Sequence, residues 1–380
     1  MDELMNPDIR LYRPGDEDDI VRLLDLCFEG WPKIDVNPLE YWRWKYVDSP
    51  FWKNDISLGI LDGEIIACKH SLYFGLKIGD EVLEATLGSD LAVHPDYRNM
   101  GVSRKVSGFS SNRKMKLGYD FSYFVTSNPH LIKSYQERLE EFPHEIRVYV
   151  RICDVDLQLK ASPVKRPILT KMGFLALKGA NFIKNIFRDV PREGSDVTLS
   201  SIDRFAEGDK EALEEIQEEY NFIVQRSPRY LNWRYCDPRG GEFRVRIAED
   251  GGEAIGYSVS FINRYLEGYP IGYIIDVLTP PDRVDVMEAL VSDVVNFFDE
   301  NGINMVNTIA VNGHPLEKAL SSHGFVDTRI SLKIFLGRYG KRAQDQELKN
   351  ILRESPSKHI HFSYGDIDSI PVTPPDYTKI

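Results

Sequence analysis

The stretch of sequence that decides the fold lies in the first third of the chain. It reads Leu91-Ala92-Val93-His94-Pro95-Asp96-Tyr97-Arg98-Asn99-Met100-Gly101-Val102-Ser103-Arg104-Lys105-Val106. A short apolar strand enters a proline-containing turn, and an Arg-x-x-Gly-x-Ser loop leads directly into a helix. Gly101 has no Cβ and lets the backbone approach a ligand, and Ser103 is the small residue at the second such position. The first turn of a helix favours an anion, and Arg98 and Arg104 add charge that can pair with phosphate. The pattern predicts a pyrophosphate-binding loop.

These residues resemble the acetyl-CoA-binding signature of the GNAT superfamily of N-acyltransferases, Val-x-Pro-x-x-Arg/Gln-x-x-Gly-x-Gly/Ala/Ser. Val93, Pro95, Arg98, Gly101 and Ser103 all fall in register. An ordinary strand-to-helix turn fits the glycine spacing alone, whereas the Val-x-Pro prefix favours a CoA site. The resemblance implies a mixed α/β fold and direct acyl transfer from acetyl-CoA to an amine, with no metal and no covalent enzyme intermediate.

The resemblance also implies which residues hold acetyl-CoA. The backbone of Leu91 and Val93 would pair with the pantetheine amides, and the N–H of Leu91 or Ala92 would polarise the thioester oxygen. Asn128 resembles the superfamily asparagine that contacts the CoA arm. The alternative is that Asn128 is only a turn residue before Pro129. The predicted cofactor-binding set is Leu91, Ala92, Val93, Arg98, Asn99, Met100, Gly101, Val102, Ser103, Arg104 and Asn128.

Two residues are candidates for proton transfer. Tyr135 lies on the helix predicted over residues 130–139, where the superfamily carries the tyrosine that protonates the leaving thiolate; a core tyrosine is the alternative. Asp90 is the candidate general base, with a structural carboxylate or a water chain as alternatives. Strict strand alternation would point Asp90 away from the face of Ser89 and Leu91, and a β-bulge would reverse this.

The strands that lead to the loop are less distinctive. Ile56–Leu61 and Glu64–Cys68 flank an Asp-Gly turn and predict a hairpin. Leu72–Leu76 and Glu81–Leu91 are predicted as two further strands, and Tyr119–Thr126 as one more.

The second half of the chain echoes the first. The segment Tyr41–Pro50 is repeated at Tyr230–Pro238, and Asp90–Pro95 is repeated at Asp276–Pro281. Landmarks recurring in the same order indicate a duplicated fold. The turn after Pro281 contains no glycine and carries acidic residues that repel phosphate. We therefore expect a degenerate second copy that does not bind CoA.

These observations predict four segments. They are an N-terminal GNAT domain over 1–155, a basic amphipathic linker over 156–197, a degenerate C-terminal GNAT domain over 198–340 and a tail over 341–380. Among tandem GNAT proteins the chain resembles the Eis-like acetyltransferases, but the tail is too short for their sterol-carrier-like domain. The linker touches an anionic membrane weakly through 160–192, packs across the acidic body of the protein, or places its basic groups near the CoA 3′-phosphate.

An aromatic cluster precedes the first hairpin. It comprises Trp42, Trp44, Tyr46 and Trp52, with Arg43 and Lys45 between them. It would form either a wall of the acceptor pocket or a contact between the two halves, and its echo in the second half favours the contact.

Composition narrows the function classes. The net charge of −12 argues against nucleic-acid binding and suits a cationic amine acceptor. The four cysteines include no Cys-x-x-Cys pair, which argues against a zinc site and a disulfide framework and predicts a cytoplasmic protein. The sequence leaves the oligomeric state open, and a homo-oligomer is one alternative. The acceptor, a small molecule or a peptide, is not identified. The alternatives are a Fem-like aminoacyl or peptide-bridge transferase and a non-catalytic acetyl-CoA-binding regulator.

Overall fold

The computed structural model describes residues 6–126, 129–154, 197–340 and 344–368. Across these ranges fourteen strands form one mixed sheet. The strands are β1 (Asp8–Leu11), β2 (Ser57–Leu61), β3 (Glu64–Ile78), β4 (Glu81–Val93), β5 (Phe121–Thr126), β6 (Glu140–Glu141), β7 (Ile146–Ile152), β8 (Thr198–Ile202), β9 (Phe222–Val224), β10 (Phe243–Asp250), β11 (Glu253–Asn263), β12 (Ile271–Leu278), β13 (Met305–Val311) and β14 (Val326–Arg338).

Helices pack on this sheet, and the predicted mixed α/β fold is confirmed. The helices are α1 (Glu17–Phe28), α2 (Pro38–Trp42), α3 (Val102–Leu117), α4 (Pro129–Gln136), α5 (Lys210–Glu218), α6 (Pro228–Tyr235), α7 (Val284–Glu300), α8 (Leu316–Ser322) and α9 (Gln346–Glu354). Helix α2 continues into a π-helical turn over Arg43–Val47.

The same strand order occurs twice in the sheet. Strands β1, β2, β3 and β4 are antiparallel neighbours, and β4 then pairs with β5 in parallel. Strands β8, β10, β11 and β12 repeat the antiparallel series, and β12 pairs with β13 in parallel. This repetition matches the order of the sequence landmarks.

The two halves of the sheet exchange strands. Strand β7 lies early in the chain but pairs with β13 of the second half. Strand β14 pairs with β7 through its first part and with β5 through its last part, Lys333–Arg338. The exchange makes the sheet continuous. The limits of the predicted domains remain a prediction, and the predicted linker lies almost entirely outside the described residues.

The predicted pair of strands Glu64–Cys68 and Leu72–Leu76 is wrong in one respect, since both belong to the single strand β3. The residues between them, Lys69, His70 and Ser71, are polar and continue the strand. His70 is fully buried in the strand and accepts a hydrogen bond from Trp42 Nε1 at 3.0 Å. A satisfied polar group can occupy a buried strand position, which the sequence pattern alone does not reveal.

Part of the aromatic cluster joins the two halves. Trp44 stacks on Trp233 with ring centroids 5.3 Å apart. Each indole N–H donates to the backbone carbonyl of the other tryptophan, at 2.8 and 2.9 Å. Trp52, in contrast, is 38% exposed. The interpretation as a contact between halves therefore holds for Trp44.

The C-terminal segment His359–Asp368 runs between the halves. Its Asp366 forms an ion pair with Arg226 at 2.7 Å, and Arg226 also pairs with Asp276 on β12 at 3.2 Å. The three side chains are fully buried. A buried cation held by two carboxylates leaves a costly charge imbalance when one member is removed.

No helix in the described part of the chain is both long enough and apolar enough to cross a membrane.

Replacing Arg226 should destabilise the fold. In Arg226→Met the carboxylates of Asp276 and Asp366 lose their shared cation, and we expect the free energy of unfolding to fall by about 3–5 kcal/mol. Denaturant unfolding measures the change. The exposed Arg229 is the control, because Arg229→Met should alter stability by less than about 0.5 kcal/mol. Equal losses in the two variants would contradict the structural role of Arg226.

Candidate active site

The loop after β4 has the geometry of an anion site. A single 3₁₀ turn over Pro95–Tyr97 follows the strand, and α3 begins directly after Gly101. Asn99 and Gly101 have φ angles of 65° and 79°, and Gly101 adopts this left-handed conformation without steric cost. The first turn of α3 contains no acidic residue, so its free N–H groups and dipole favour a negatively charged group.

Apolar packing fixes the start of α3 against the sheet. Val102 and Val106 are buried and form a small cluster with Ile66 and Ala67 of β3. The neighbouring Ser103 and Arg104 remain exposed. The helix therefore presents a rigid N-terminus whose polar residues face solvent, as a phosphate cradle requires.

The remaining predicted loop residues differ in their exposure. Arg98 is exposed, and its Nε donates to the carbonyl of Val93 at 3.2 Å, which directs the guanidinium back along the loop. Leu91 and Met100 are 39% and 37% exposed, whereas Ala92 is buried. Of the predicted residues, Leu91, Arg98, Asn99, Met100, Ser103 and Arg104 are thus exposed between the strand end and the helix, whereas Ala92 and Val102 are buried.

The parallel strands β4 and β5 separate beside this loop. Their paired residues are Ala85–Leu87 and Phe121–Tyr123, and β4 continues to Val93 without a further β5 partner. Gly88 starts the unpaired part, and a Cβ there would lie 2.3 Å from the Phe124 ring. The backbone groups of β4 that face the gap are suited to hydrogen bonds with the amides of an extended ligand arm.

A β-bulge interrupts β4 at the start of the loop. Ser89 pairs with His70 and Ala92 with Cys68, so two β4 residues oppose the single residue Lys69. Asp90, one of the two, has a φ angle of 34°, which is uncommon for a residue with a side chain. The sequence analysis raised this bulge as the alternative to strict alternation, and the structure contains it.

At the bulge, the side chains of Ser89 and Asp90 both contact the hydroxyl group of Tyr46. Tyr46 OH lies 2.6 Å from Ser89 Oγ and donates to Asp90 Oδ2 at 2.5 Å. The buried Lys45 forms an ion pair with the same Asp90 oxygen at 3.0 Å. Burial raises the pKa of Asp90, but the Lys45 charge, the His70 ring and the hydrogen bonds from Tyr46 and Lys45 together outweigh burial, and the pKa lies below its ordinary value. Asp90 is therefore an ionised carboxylate, 10% exposed.

His70 supports the bulge through the backbone. Its Nε2 accepts the hydrogen bond from Trp42, and its Nδ1 lies 3.1 Å from the carbonyl oxygen of Asp90. Both contacts are satisfied by the neutral imidazole with its proton on Nδ1. Burial lowers the pKa of His70 to about 4, which keeps the ring neutral.

Tyr135 lies on α4, at the other side of the gap. Its ring packs between Phe124 of β5 and Phe335 of β14, with centroid distances of 5.6 and 5.5 Å. Burial raises the pKa of its phenol, so the proton stays on the oxygen at neutral pH. Asn128, the other residue predicted on this side, lies outside the described residues.

The sequence did not predict that four residues, Lys45, Tyr46, Ser89 and Asp368, would form a hydrogen-bonded group around Asp90. Lys45 and Tyr46 were assigned only to the aromatic cluster, and Ser89 was mentioned only for its direction. Asp368 was missed altogether: its Oδ2 lies within hydrogen-bond distance of Ser89 Oγ, at 2.8 Å. The echo itself carried a signal, because it aligns Tyr46 with Tyr235 and Asp90 with Asp276. No motif in the tail could have indicated Asp368.

The second half contains the matching gap but fills it. Strands β12 and β13 pair only over Ile271–Tyr273 and Met305–Asn307. Beyond these pairs, the C-terminal residues Ile360–Ser363 lie between the strands and leave a cavity of about 20 Å³. Tyr235 OH and His361 Nε2 bind the Asp276 carboxylate at 3.1 and 2.9 Å.

The loop of the second half also lacks a phosphate cradle. Helix α7 follows Arg283, whose guanidinium pairs with Asp285 in the first turn at 2.9 Å. A carboxylate at a helix N-terminus competes with any anionic ligand for that position. The two halves therefore share a strand order and differ in the residues at the end of the fourth strand of each series.

The comparisons with known proteins agree with this geometry. Residues 8–136 match the family model described as "Acetyltransferase (GNAT) domain", so this part of the chain is a GNAT acetyltransferase domain. None of the curated proteins matches the sequence.

Solved structures share the fold at low sequence identity. N-myristoyltransferase of Saccharomyces cerevisiae with bound myristoyl-CoA and inhibitors is 12% identical, with a TM-score of 0.58 over 89% of this chain and 82% of that one. A probable N-acyltransferase of Enterococcus faecalis is also 12% identical, with a TM-score of 0.60 and coverages of 89% and 74%. A GCN5-related N-acetyltransferase of Anabaena variabilis is 11% identical, with a TM-score of 0.57 and coverages of 88% and 73%.

Among the described residues, no group of three or more His, Cys, Asp or Glu side chains could hold a metal ion.

Gly101 should be essential for binding acetyl-CoA. Gly101→Glu introduces a side chain at a positive φ angle and a negative charge beside the helix N-terminus. We expect calorimetry to show an affinity at least about tenfold weaker than that of the wild-type protein, or about 1.4 kcal/mol. Gly108→Glu is the control, since it adds the same charge to an exposed position of α3 with open space around it. Equal affinities in the two variants would contradict the assignment of the loop.

His70 should make stability depend on pH. Its folded-state pKa of about 4 lies below the unfolded value of about 6.5, so the unfolded state binds more protons between these values. The stabilising contribution of neutral His70 is complete above about pH 6.5 and declines as pH falls toward 4, by on the order of 1 kcal/mol per pH unit. In His70→Gln the free energy of unfolding should vary less steeply over this window. A slope equal to that of the wild-type protein, from denaturant unfolding at several pH values, would contradict the buried neutral histidine.

Proposed function

We propose that this protein is an N-acetyltransferase that transfers the acetyl group of acetyl-CoA directly to a primary amine. The observation that carries the proposal is the meeting of three features at the end of β4: the phosphate-type loop, the gap between β4 and β5, and the carboxylate of Asp90. The GNAT domain match over residues 8–136 supports acyl-CoA-dependent acyl transfer in general. The acetyl donor and the amine acceptor are the finer part of the proposal.

The residues at the loop fit acetyl-CoA. The N–H groups at the start of α3, with Arg98 and Arg104, would hold the pyrophosphate, because all are positively polarised or charged and accessible. The β4 backbone at Leu91 and Val93 would hold the pantetheine amides, and Asn128 is proposed to contact the same arm. When bound, acetyl-CoA supplies a thioester activated toward attack by an amine.

The protein contributes position and proton transfer. The bulge sets the backbone N–H of Leu91 or Ala92 as the proposed donor to the thioester oxygen, since a preorganised donor stabilises developing negative charge. Asp90, an ionised carboxylate, would take a proton from the acceptor's ammonium. Tyr135, which keeps its proton at neutral pH, would return one to the departing thiolate.

The second half is proposed to be a degenerate GNAT copy that supports the first. The repeated strand order, the filled gap and the carboxylate at the start of α7 all favour this division of roles. On the same basis we propose a tandem, Eis-like arrangement in which only the first half binds acetyl-CoA. A cytoplasmic location and a small-molecule or peptide acceptor complete the proposal.

The proposal is tested by comparing acetyl-CoA with the acyl donor of the yeast structural neighbour. That protein was solved with myristoyl-CoA, so acetyl-CoA and myristoyl-CoA should be offered in parallel with a panel of amines, including polyamines, aminoglycosides, amino sugars and lysine peptides. Release of free CoA thiol reports turnover. Acetyl-CoA should support amine-dependent release. Release of CoA thiol only with myristoyl-CoA would overturn the acetyl assignment. Binding of a donor with no release of CoA thiol, whichever amine is added, would favour a regulatory protein.

Removing the phenol of Tyr135 should slow the chemical step. In Tyr135→Phe we expect kcat to fall by about 10²–10⁴-fold, since this is the usual contribution of a general acid. The KM for acetyl-CoA should change little, because the phenol acts on the leaving thiolate. Tyr265→Phe is the control, because Tyr265 is 43% exposed and belongs to the second half. An unchanged kcat in Tyr135→Phe would assign Tyr135 to the core.

A further inference from the structure

A continuous chain of hydrogen bonds joins two carboxylates at the proposed active site. Asp368 Oδ2 lies 2.8 Å from Ser89 Oγ, and Ser89 Oγ lies 2.6 Å from Tyr46 OH. Tyr46 OH lies 2.5 Å from Asp90 Oδ2. The chain thus begins in the C-terminal segment and ends on the β4 bulge, with two hydroxyl groups between the acids.

The number of hydrogen bonds fixes the number of protons. Three hydrogen bonds require three protons, and the hydroxyls of Ser89 and Tyr46 supply one each. The third proton must belong to one of the two carboxyl groups. A proton on Asp368 or on Asp90 satisfies all three bonds equally well, because every hydroxyl in the chain can reverse its direction.

The surrounding charges favour Asp368 as the resting position. Lys45 contacts Asp90, and this ion pair already balances one buried negative charge. A second ionised carboxylate beside it would be repelled and poorly solvated. Removal from water raises the pKa of Asp368; Lys45 opposes this effect and the Asp90 charge adds to it. Tyr41 and Tyr46, which also face the pair, are kept neutral because burial raises the pKa of each phenol.

The C-terminal segment is held so that Asp368 reaches Ser89. Arg234 Nη2 donates to the carbonyl of Ile367 at 2.8 Å, and Tyr123 OH donates to the carbonyl of Asp366 at 2.6 Å. These bonds restrain the backbone of the two residues before Asp368. A fixed backbone is a condition for a hydrogen-bonded chain to keep its geometry.

We propose that Asp368, Ser89, Tyr46 and Asp90 form a one-proton relay that carries the proton of the acceptor's ammonium out of the active site. The proposal rests on the proposed amine acetylation. Asp90 would touch the acceptor, and Asp368, Ser89 and Tyr46 act through it as positioning residues.

Each step of the relay balances. The ammonium N–H bond breaks and its proton binds the Asp90 carboxylate, while protonated Asp368 releases its proton to water. The hydrogen bonds from described residues to the Asp90 carboxylate end on Oδ2, which leaves Oδ1 to receive the proton. The relay resets when the Asp90 carboxyl group turns so that its protonated oxygen faces the Tyr46 hydroxyl. Asp90 then donates to Tyr46, Tyr46 to Ser89, and Ser89 to the ionised Asp368. Asp368 is the partly exposed end of the relay, whereas Ser89 and Tyr46 are buried, so the proton would leave from Asp368.

The test is carboxyl ¹³C NMR of the full chain labelled at aspartate, without any acceptor. The Asp368 resonance is assigned by its loss in Asp368→Asn. We expect it at the protonated-acid position at pH 7, while Asp90 appears as a carboxylate. In Asp90→Asn, Lys45 faces Asp368 alone, and the Asp368 resonance should move to the carboxylate position. An ionised Asp368 in the wild-type protein would overturn the relay, and this outcome does not depend on whether Asp90→Asn folds.

Kinetics then separate the relay from a purely structural role. With an amine acceptor in hand, Ser89→Ala interrupts the chain, and kcat should fall at least about tenfold. The KM for acetyl-CoA should stay constant, and the acid limb of the pH–rate profile should shift. Ser71→Ala is the matched control, because Ser71 is a buried β3 serine whose hydroxyl has no partner among the described residues. Equal profiles for Ser89→Ala and the wild-type protein would overturn the relay. Failure of the wild-type protein to acetylate any amine, with Asp368 still protonated, would instead overturn the proposed function.

Discussion

The ion pair between Lys45 and Asp90 is the interaction on which the site depends. It fixes the β4 bulge, since Asp90 holds a positive φ angle that its neighbours must stabilise. The bulge in turn ends the regular pairing of β4, brings Ser89 and Asp90 to the same hydroxyl, and directs the chain into the phosphate-type loop. His70 and Trp42 support the arrangement from the opposite side through the Asp90 carbonyl. A local interruption of one strand thus positions both the loop and the carboxylate.

The second half contains a similar arrangement of side chains without the phosphate-type loop. Asp276 occupies the place of Asp90 in the repeat, and Tyr235 contacts it as Tyr46 contacts Asp90. The cation that binds Asp276 is Arg226, and His361 from the C-terminal segment occupies its other oxygen. All of these groups are satisfied within the protein. The Asp90 carboxylate is 10% exposed, whereas the Asp276 carboxylate is fully buried.

The sequence predicted the fold and the loop because local patterns determine both. Gly101 needs its positive φ angle and α3 needs its apolar contacts through Val102 and Val106, and each requirement is visible in one short stretch. The strand exchange of β7 and β14 was not predictable, because the apolar pattern of a strand does not indicate which half of the sheet it pairs with. Asp368 was not predictable either: it lies 279 residues from Ser89 in sequence, and only the folded C-terminal segment brings the two together. The bulge at Asp90 lay between these cases, since strict alternation opposed it and the sequence left it open as the alternative.

The central claim is that acetyl-CoA binds the first half and not the second. Amide hydrogen exchange of the whole protein, measured with and without acetyl-CoA, tests it directly, because bound ligand protects the backbone groups it contacts. The account predicts slower exchange over residues 91–106 and unchanged exchange over residues 276–288. Protection confined to 276–288, or none in either stretch at saturating acetyl-CoA, would contradict it.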